Sequence, residues 1–157
     1  MKEFYFHEDF YCQIQLMPVS ALTSGFGREW YLREDHSQHL RSLGISINSV
    51  AAVLDPILEP AEEVYTGYST YRERCYNTRA WVLSCGTALL ADFDETGVIQ
   101  HFWIVNEPAE YIEQLKQALR ALGELGDFFI ADWNHDIAVP CNDNDKLRDY
   151  LSGAAFD

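Results

Sequence analysis

Cys12, Ile14 and Leu16 alternate with Gln13 and Gln15, the period of a half-buried strand, and predict a β-element over 10–17 that Pro18 ends. A shorter strand over 3–7 precedes it. Beyond the turn Ser24-Gly25-Phe26-Gly27, residues 28–34 set Trp30 and Leu32 on one face and predict a further strand. Residues 35–43 are polar and read as a loop or a short helical turn. The period then changes. Val50, Val53, Leu54 and Ile57 recur at helical spacing, Ser46 stands at the N-cap, and Ile45 with Val50 forms a hydrophobic staple across it. A helix over 47–58 is expected, its last turn shortened by Pro56.

Residues 64–71, Val-Tyr-Thr-Gly-Tyr-Ser-Thr-Tyr, carry no core period. Clearer strands follow over 80–84, 87–93 and 98–105, the last two joined through Asp94-Glu95-Thr96-Gly97 into a β-hairpin. The strongest helix pattern spans 108–122. Pro108 suits its first turn, and Asn106 or Glu107 its cap. Tyr111, Ile112, Leu115, Ala118, Leu119 and Leu122 form its stripe, and Gly123 is expected as the C-cap. Residues 128–132 read as a buried strand and 137–139 as a short one ended by Pro140, and Asn144 is placed to cap a last helix through Leu151. No repeat, low-complexity tract or linker divides the chain. The expected architecture is a single α+β domain over 1–157, a mainly antiparallel sheet with two or three helices packed on it.

Composition narrows the class. Of the 157 residues, 48% are hydrophobic and 14% aromatic, which excludes intrinsic disorder over most of the length. No apolar stretch approaches the ~20 residues of a membrane span, and residues 1–7 lack a basic-then-apolar export pattern, so a soluble, cytoplasmic protein is expected. Cys12, Cys75, Cys85 and Cys141 fall in no CxxC pair or zinc spacing and are expected to be reduced and metal-free. No cofactor is implied.

Charge changes the picture more. Residues 1–91 hold 11 acids and 7 bases, whereas 92–157 hold 14 acids and 4 bases, within a total of −14. The acidic half also contains Phe93, Phe102, Trp103, Tyr111, Phe128, Phe129 and Trp133, so the charge belongs to a folded surface. Such a surface repels nucleic acid and attracts basic partners from a distance.

Three clusters carry candidate chemistry. His7, Glu8, Asp9 and Cys12 hold metal-capable atoms, but neighbours on a strand point to opposite faces, and a turn is the simpler reading. His36 and His39 are three apart in a polar stretch, too few ligands for a metal centre. Asp132, Asn134, His135 and Asp136 surround Trp133 just after a strand, where functional loops occur. Asp132, His135 and Asp136 could act as acid–base groups or ligands, though a surface ion pair is the commoner arrangement and no nucleophile accompanies them. The tyrosine run is a fourth feature. Tyr65, Tyr68 and Tyr71 are followed by Arg72, Arg74 and Arg79, a mixture found at protein interfaces and equally in loops that lie back on a sheet.

Three segments together resemble a known group. Phe4-Tyr5-Phe6-His7-Glu8-Asp9-Phe10-Tyr11-Cys12-Gln13-Ile14-Gln15-Leu16-Met17-Pro18, Val64-Tyr65-Thr66-Gly67-Tyr68-Ser69-Thr70-Tyr71-Arg72 and Ala131-Asp132-Trp133 are similar to stretches of small acidic bacterial immunity proteins of polymorphic-toxin systems. That resemblance implies a cytoplasmic inhibitor that binds a cognate toxin domain, and it brings no catalytic residues. With the acidic balance, the expected partner is a basic toxin domain, such as a nuclease. Tyr65, Tyr68, Tyr71, Asp132, Trp133 and Asp136 are the expected contact residues. An enzyme using Asp132, His135 and Asp136, or an interaction module unconnected with toxins, are the alternatives.

Overall fold

The structure, a computed structural model, describes residues 2–7, 14–19, 40–68, 71–83, 86–106 and 113–152. The strand expected over 28–34, the turn at 24–27, Cys12, Cys85, His36, His39, Tyr111 and Ile112 lie outside them.

Among the described residues, ten strands and three helices follow in the order β1 (Glu3–His7), β2 (Ile14–Pro18), α1 (Ile47–Leu54), β3 (Glu59–Ala61), β4 (Glu63–Tyr68), β5 (Tyr71–Cys75), β6 (Thr78–Val82), β7 (Ala88–Phe93), β8 (Ile99–Val105), α2 (Glu113–Leu122), β9 (Phe128–Asp132), β10 (Ile137–Pro140) and α3 (Asn144–Leu151). Seven strands form an antiparallel sheet in the order β10-β9-β2-β8-β7-β6-β3, and three form a smaller sheet, β1-β4-β5. This is the expected α+β class with antiparallel pairing dominant. One pair departs from it, since β1 runs parallel to β4.

Period-two strands give the large sheet two apolar faces, and each is covered. Ile14, Leu16, Trp81, Leu89, Phe102, Ile104, Phe128 and Ile130 meet Val50, Leu54, Leu115, Leu119, Leu147 and Tyr150 of the three helices. On the opposite face, Ala80, Ala88, Leu90, Trp103 and Val105 meet Phe4, Phe6 and Val64 of the small sheet. The alanines leave the depth into which the two phenylalanines fit, as close packing requires.

The small sheet arises from one bent hairpin. Ala61 opposite Ala80 pairs β3 with β6, and Val64 opposite Cys75 pairs β4 with β5. Between those pairs stand two residues on the first side, Glu62 and Glu63, and four on the other, from Tyr76 to Arg79. The two extra residues act as a bulge, which sharpens bend and twist. Asn77 takes the left-handed conformation there (φ 52°), its carbonyl accepts from the Phe93 amide at 3.0 Å, and Arg79 reaches Glu62 at 3.4 Å across the bend. The distal half of the hairpin thereby folds over the sheet from which it starts.

Local signals are met in detail. Ser46 caps α1 by accepting from the Ser49 amide, with Ile45 and Val50 both buried beside it. In the β7–β8 turn Gly97 has φ 85°, and Asp94 Oδ1 accepts from the amides of Thr96 and Val98 and from Thr96 Oγ1. These bonds hold the Asp94 carboxyl below its ordinary range, the Thr96 hydroxyl contributing most.

Several expectations need correction. α1 stops at Leu54, three residues before Ile57, because Pro56 has no amide to continue the ladder. Gly123 is not a left-handed cap; α2 tightens instead into successive i→i+3 bonds, Gly123 to Arg120, Glu124 to Ala121 and Leu125 to Leu122. Asp143, not Asn144, caps α3, accepting from the Lys146 amide. Of the run 64–71, residues 64–68 belong to β4 and Tyr71 opens β5. Its core period is invisible because, among its described residues, only Val64 and Gly67 are buried.

Candidate protein-binding face

Alternation along β1 sends Phe4 and Phe6 inward, so Glu3, Tyr5 and His7 face away from the core. Register then sets Tyr65 beside Tyr5 and Gly67 beside His7, with Arg74 opposite Tyr65 and Arg72 opposite Gly67. The outer face of the small sheet is therefore a lattice of tyrosines and arginines. The Arg72 guanidinium lies 5.2 Å from the Tyr5 ring centre and 4.8 Å from that of Tyr65, and Arg74 lies 5.2 Å from that of Tyr76. Each such exposed contact is worth about 0.5–1 kcal/mol. Loose ion pairs flank them, Arg72 to Glu3 and Arg74 to Glu63, both at 3.9 Å.

Gly67 makes this arrangement possible. Its φ of 137° favours glycine, and a Cβ there would stand 2.1 Å from the Tyr71 carbonyl oxygen. Tyr5 Oη donates to the Gly67 carbonyl at 3.0 Å, and Thr66 Oγ1 donates to that of Phe6 at 3.1 Å, which fixes β1 against β4. At the end of the sheet Tyr68 meets His7 edge to face at 5.3 Å. Tyr68, Tyr71 and Tyr76 are 50%, 58% and 76% exposed, the three most exposed large hydrophobic residues among those described. Large apolar rings held at a surface with polar tips are what a protein interface uses.

The second expected group is placed differently. Asp132 ends β9 and is completely buried on the helix side of the sheet. Its Oδ1 accepts from the amides of Asn134 and His135 at 3.0 and 3.1 Å. Its Oδ2 accepts from Tyr150 Oη at 2.7 Å and lies 3.0 Å from His135 Nδ1. Asp132 is thus not presented to a partner, contrary to the expectation from its loop position; its carboxylate organises the β9–β10 turn and ties it to α3. Trp133 is half-buried with Nε1 donating to Gln15 Oε1 at 3.2 Å, and Asp136 is exposed at φ 55°. β2, β8 and β7 lie between this turn and β6, where the bent hairpin leaves the sheet. Tyr65, Tyr68 and Tyr71 therefore belong to the small sheet, with Tyr68 and Tyr71 paired at its end, and Trp133 and Asp136 lie at the far side of the large sheet.

Reading the sequence missed Tyr5 and Tyr76 as partners of the arginines that follow the tyrosine run. Tyr5 was within reach, because inward Phe4 and Phe6 already assign its direction. A second Asp–His pair was also missed. His101 Nδ1 lies 3.0 and 3.1 Å from the two carboxylate oxygens of Asp92, and the imidazole stacks on Trp103 at 5.1 Å. The pair orients an imidazole, yet the thiol nearest in chemistry is not activated. Burial first, then the negative charges of Glu73 and Asp92, push Cys75 up and keep it protonated. Burial alone pushes Cys141 up to about 12. Among the described residues no group of three or more His, Cys, Asp or Glu side chains could hold a metal ion, and no helix is long and apolar enough to cross a membrane.

Comparison with family models, with characterised proteins and with solved structures finds no match to this chain.

Proposed function

We propose that this chain is a binding protein of the immunity kind, which neutralises a cognate basic toxin domain by docking through the small sheet and its tyrosine-bearing end. The observation that carries the reading is the grouping of exposed Tyr68 and Tyr71 with Arg72 and Arg74 on β4 and β5, with exposed Tyr76 just beyond the end of β5. Tyrosine and arginine are the residues most enriched among interface anchors. Electrostatics supports the choice of partner. Glu113, Glu124, Asp127, Asp145 and Asp149 are exposed on and around α2 and α3, in a chain of net charge −14. A basic domain is steered toward such a protein, and its on-rate falls as salt rises.

The test is titration calorimetry with the toxin domain encoded beside this chain. Tyr71→Ala or Tyr68→Ala should weaken the complex by about 2 kcal/mol, a factor of about 30 in Kd, mostly through faster dissociation. Both positions are exposed, so unfolding free energy should stay within about 0.5 kcal/mol of the parent. No complex, or a complex indifferent to the Tyr68→Ala/Tyr71→Ala pair, would remove the proposal.

A further inference from the structure

β5 pairs with β4 on one side, and among the described residues no strand borders its other side. Tyr71, Arg72, Glu73 and Arg74 are all exposed. An edge of this kind offers a row of unpaired backbone donors and acceptors to another strand. The edges of the large sheet are blunted, β3 by its three-residue length and Pro60, β10 by Pro140 at its end.

The charges on β5 decide which strand can use that edge. Two copies pairing antiparallel about a two-fold axis normal to the sheet set one residue opposite its own copy. The registers that pair at least three residues of β5 centre on Arg72, Glu73 or Arg74. Each sets like charges directly opposite, and the longest one sets Glu73 against Glu73 and Arg72 against Arg74. Like charges in directly opposed positions destabilise a strand pair. The edge is therefore guarded against its own copy, while a foreign strand that reads Glu-Lys-Glu across Arg74, Glu73 and Arg72 turns every repulsive pair into an attractive one. Arg72 is already held between Tyr5 and Tyr65, so little side-chain freedom is lost on pairing. Its flanking ion pair to Glu3, at 3.9 Å and half exposed, leaves guanidinium donors for an incoming carboxylate.

We infer that β5 accepts an extended, antiparallel strand from a different protein, with acids facing Arg72 and Arg74 and a base facing Glu73. The inference rests on the tyrosine–arginine sheet being the docking face for a protein partner, and it assigns the backbone contact of that face. A partner basic overall satisfies it with one locally acidic edge strand.

The probe is a disulfide-cyclised β-hairpin peptide presenting Glu-Lys-Glu on its free strand, titrated into the isotopically labelled full chain, with a Lys-Glu-Lys hairpin as control. The Glu-Lys-Glu peptide should shift and protect the amides of residues 71–75. It should bind about tenfold more tightly than the control, as three opposed charge pairs predict. Arg72→Glu with Arg74→Glu should reverse the preference. Equal binding of both peptides, perturbation elsewhere only, or no perturbation at millimolar peptide would overturn the inference. So would a concentrated protein that sediments as a dimer dispersed by Glu73→Pro. The two readings fail separately. A toxin complex without protection at 71–75 removes strand pairing alone, and a peptide response without a toxin complex removes the immunity role alone.

Discussion

Replacing Asp132 by asparagine tests whether this carboxylate organises the fold or serves a surface. The side chain is fully buried, and four donors surround it: the amides of Asn134 and His135, the Tyr150 hydroxyl and His135 Nδ1. Asparagine keeps the shape and leaves Oδ1 to accept the two amides. It places an NH2 group where Oδ2 accepts from Tyr150, so the Tyr150 hydroxyl must turn and its own proton loses a buried acceptor. A hydrogen bond to a charged group is worth about 1.5–3 kcal/mol, and the substituted amide recovers part of it. A loss of about 2 kcal/mol is expected for Asp132→Asn. Tyr150→Phe removes the same bond from the other side and should cost about 1.5–3 kcal/mol. The double variant should then show a coupling of about 1–2 kcal/mol, because both single changes break one interaction. Urea unfolding followed by tryptophan fluorescence measures all three. In a chain of this size about 2 kcal/mol lowers Tm by roughly 4–8 °C. Asp136→Asn, at an exposed site, should stay within about 0.5 kcal/mol of the parent. Asp132→Asn with unchanged stability, or additive effects of Asp132→Asn and Tyr150→Phe, would refute the internal role.

Gly67→Ala should cost about 3 kcal/mol or more, because the new Cβ meets the Tyr71 backbone oxygen at 2.1 Å and cannot take φ 137° without strain; amide exchange should quicken first across β4 and β5. The Asp94 carboxyl is depressed in the folded state, so its contribution is present above the unfolded value near 3.8 and is lost as pH falls through the lower folded value. Asp94→Asn should flatten that part of the acid-unfolding curve, and an unaltered curve would count against the turn described. Cys141, buried and pushed up to about 12, should resist iodoacetamide at pH 8 until denaturant is added, which mass spectrometry of labelled peptides would report.

Sequence periodicity alone determined the elements whose stabilising partners are close along the chain. Ser46 and the Ile45–Val50 staple define the start of α1, and the Asp94–Gly97 turn defines the β7–β8 hairpin, because every atom involved lies within a few residues. The stripe of α2 and the buried run of β9 were likewise readable, since burial against a single layer imposes one period. Composition and charge pointed to a folded acidic protein. What stayed hidden depends on contacts between distant segments. The β4 and β5 strands look like a loop because their outer face is solvated and polar, and only the bend at Tyr76 and Asn77 lays their inner face on the sheet. Whether Asp132 faced water or the core was decided by Tyr150, eighteen residues away on α3. The tyrosines separate in the same way from Trp133 and Asp136. Residue type marks all of them as interface candidates, but strand order alone sets them on different surfaces, because pairing is fixed by long-range register that no local window contains.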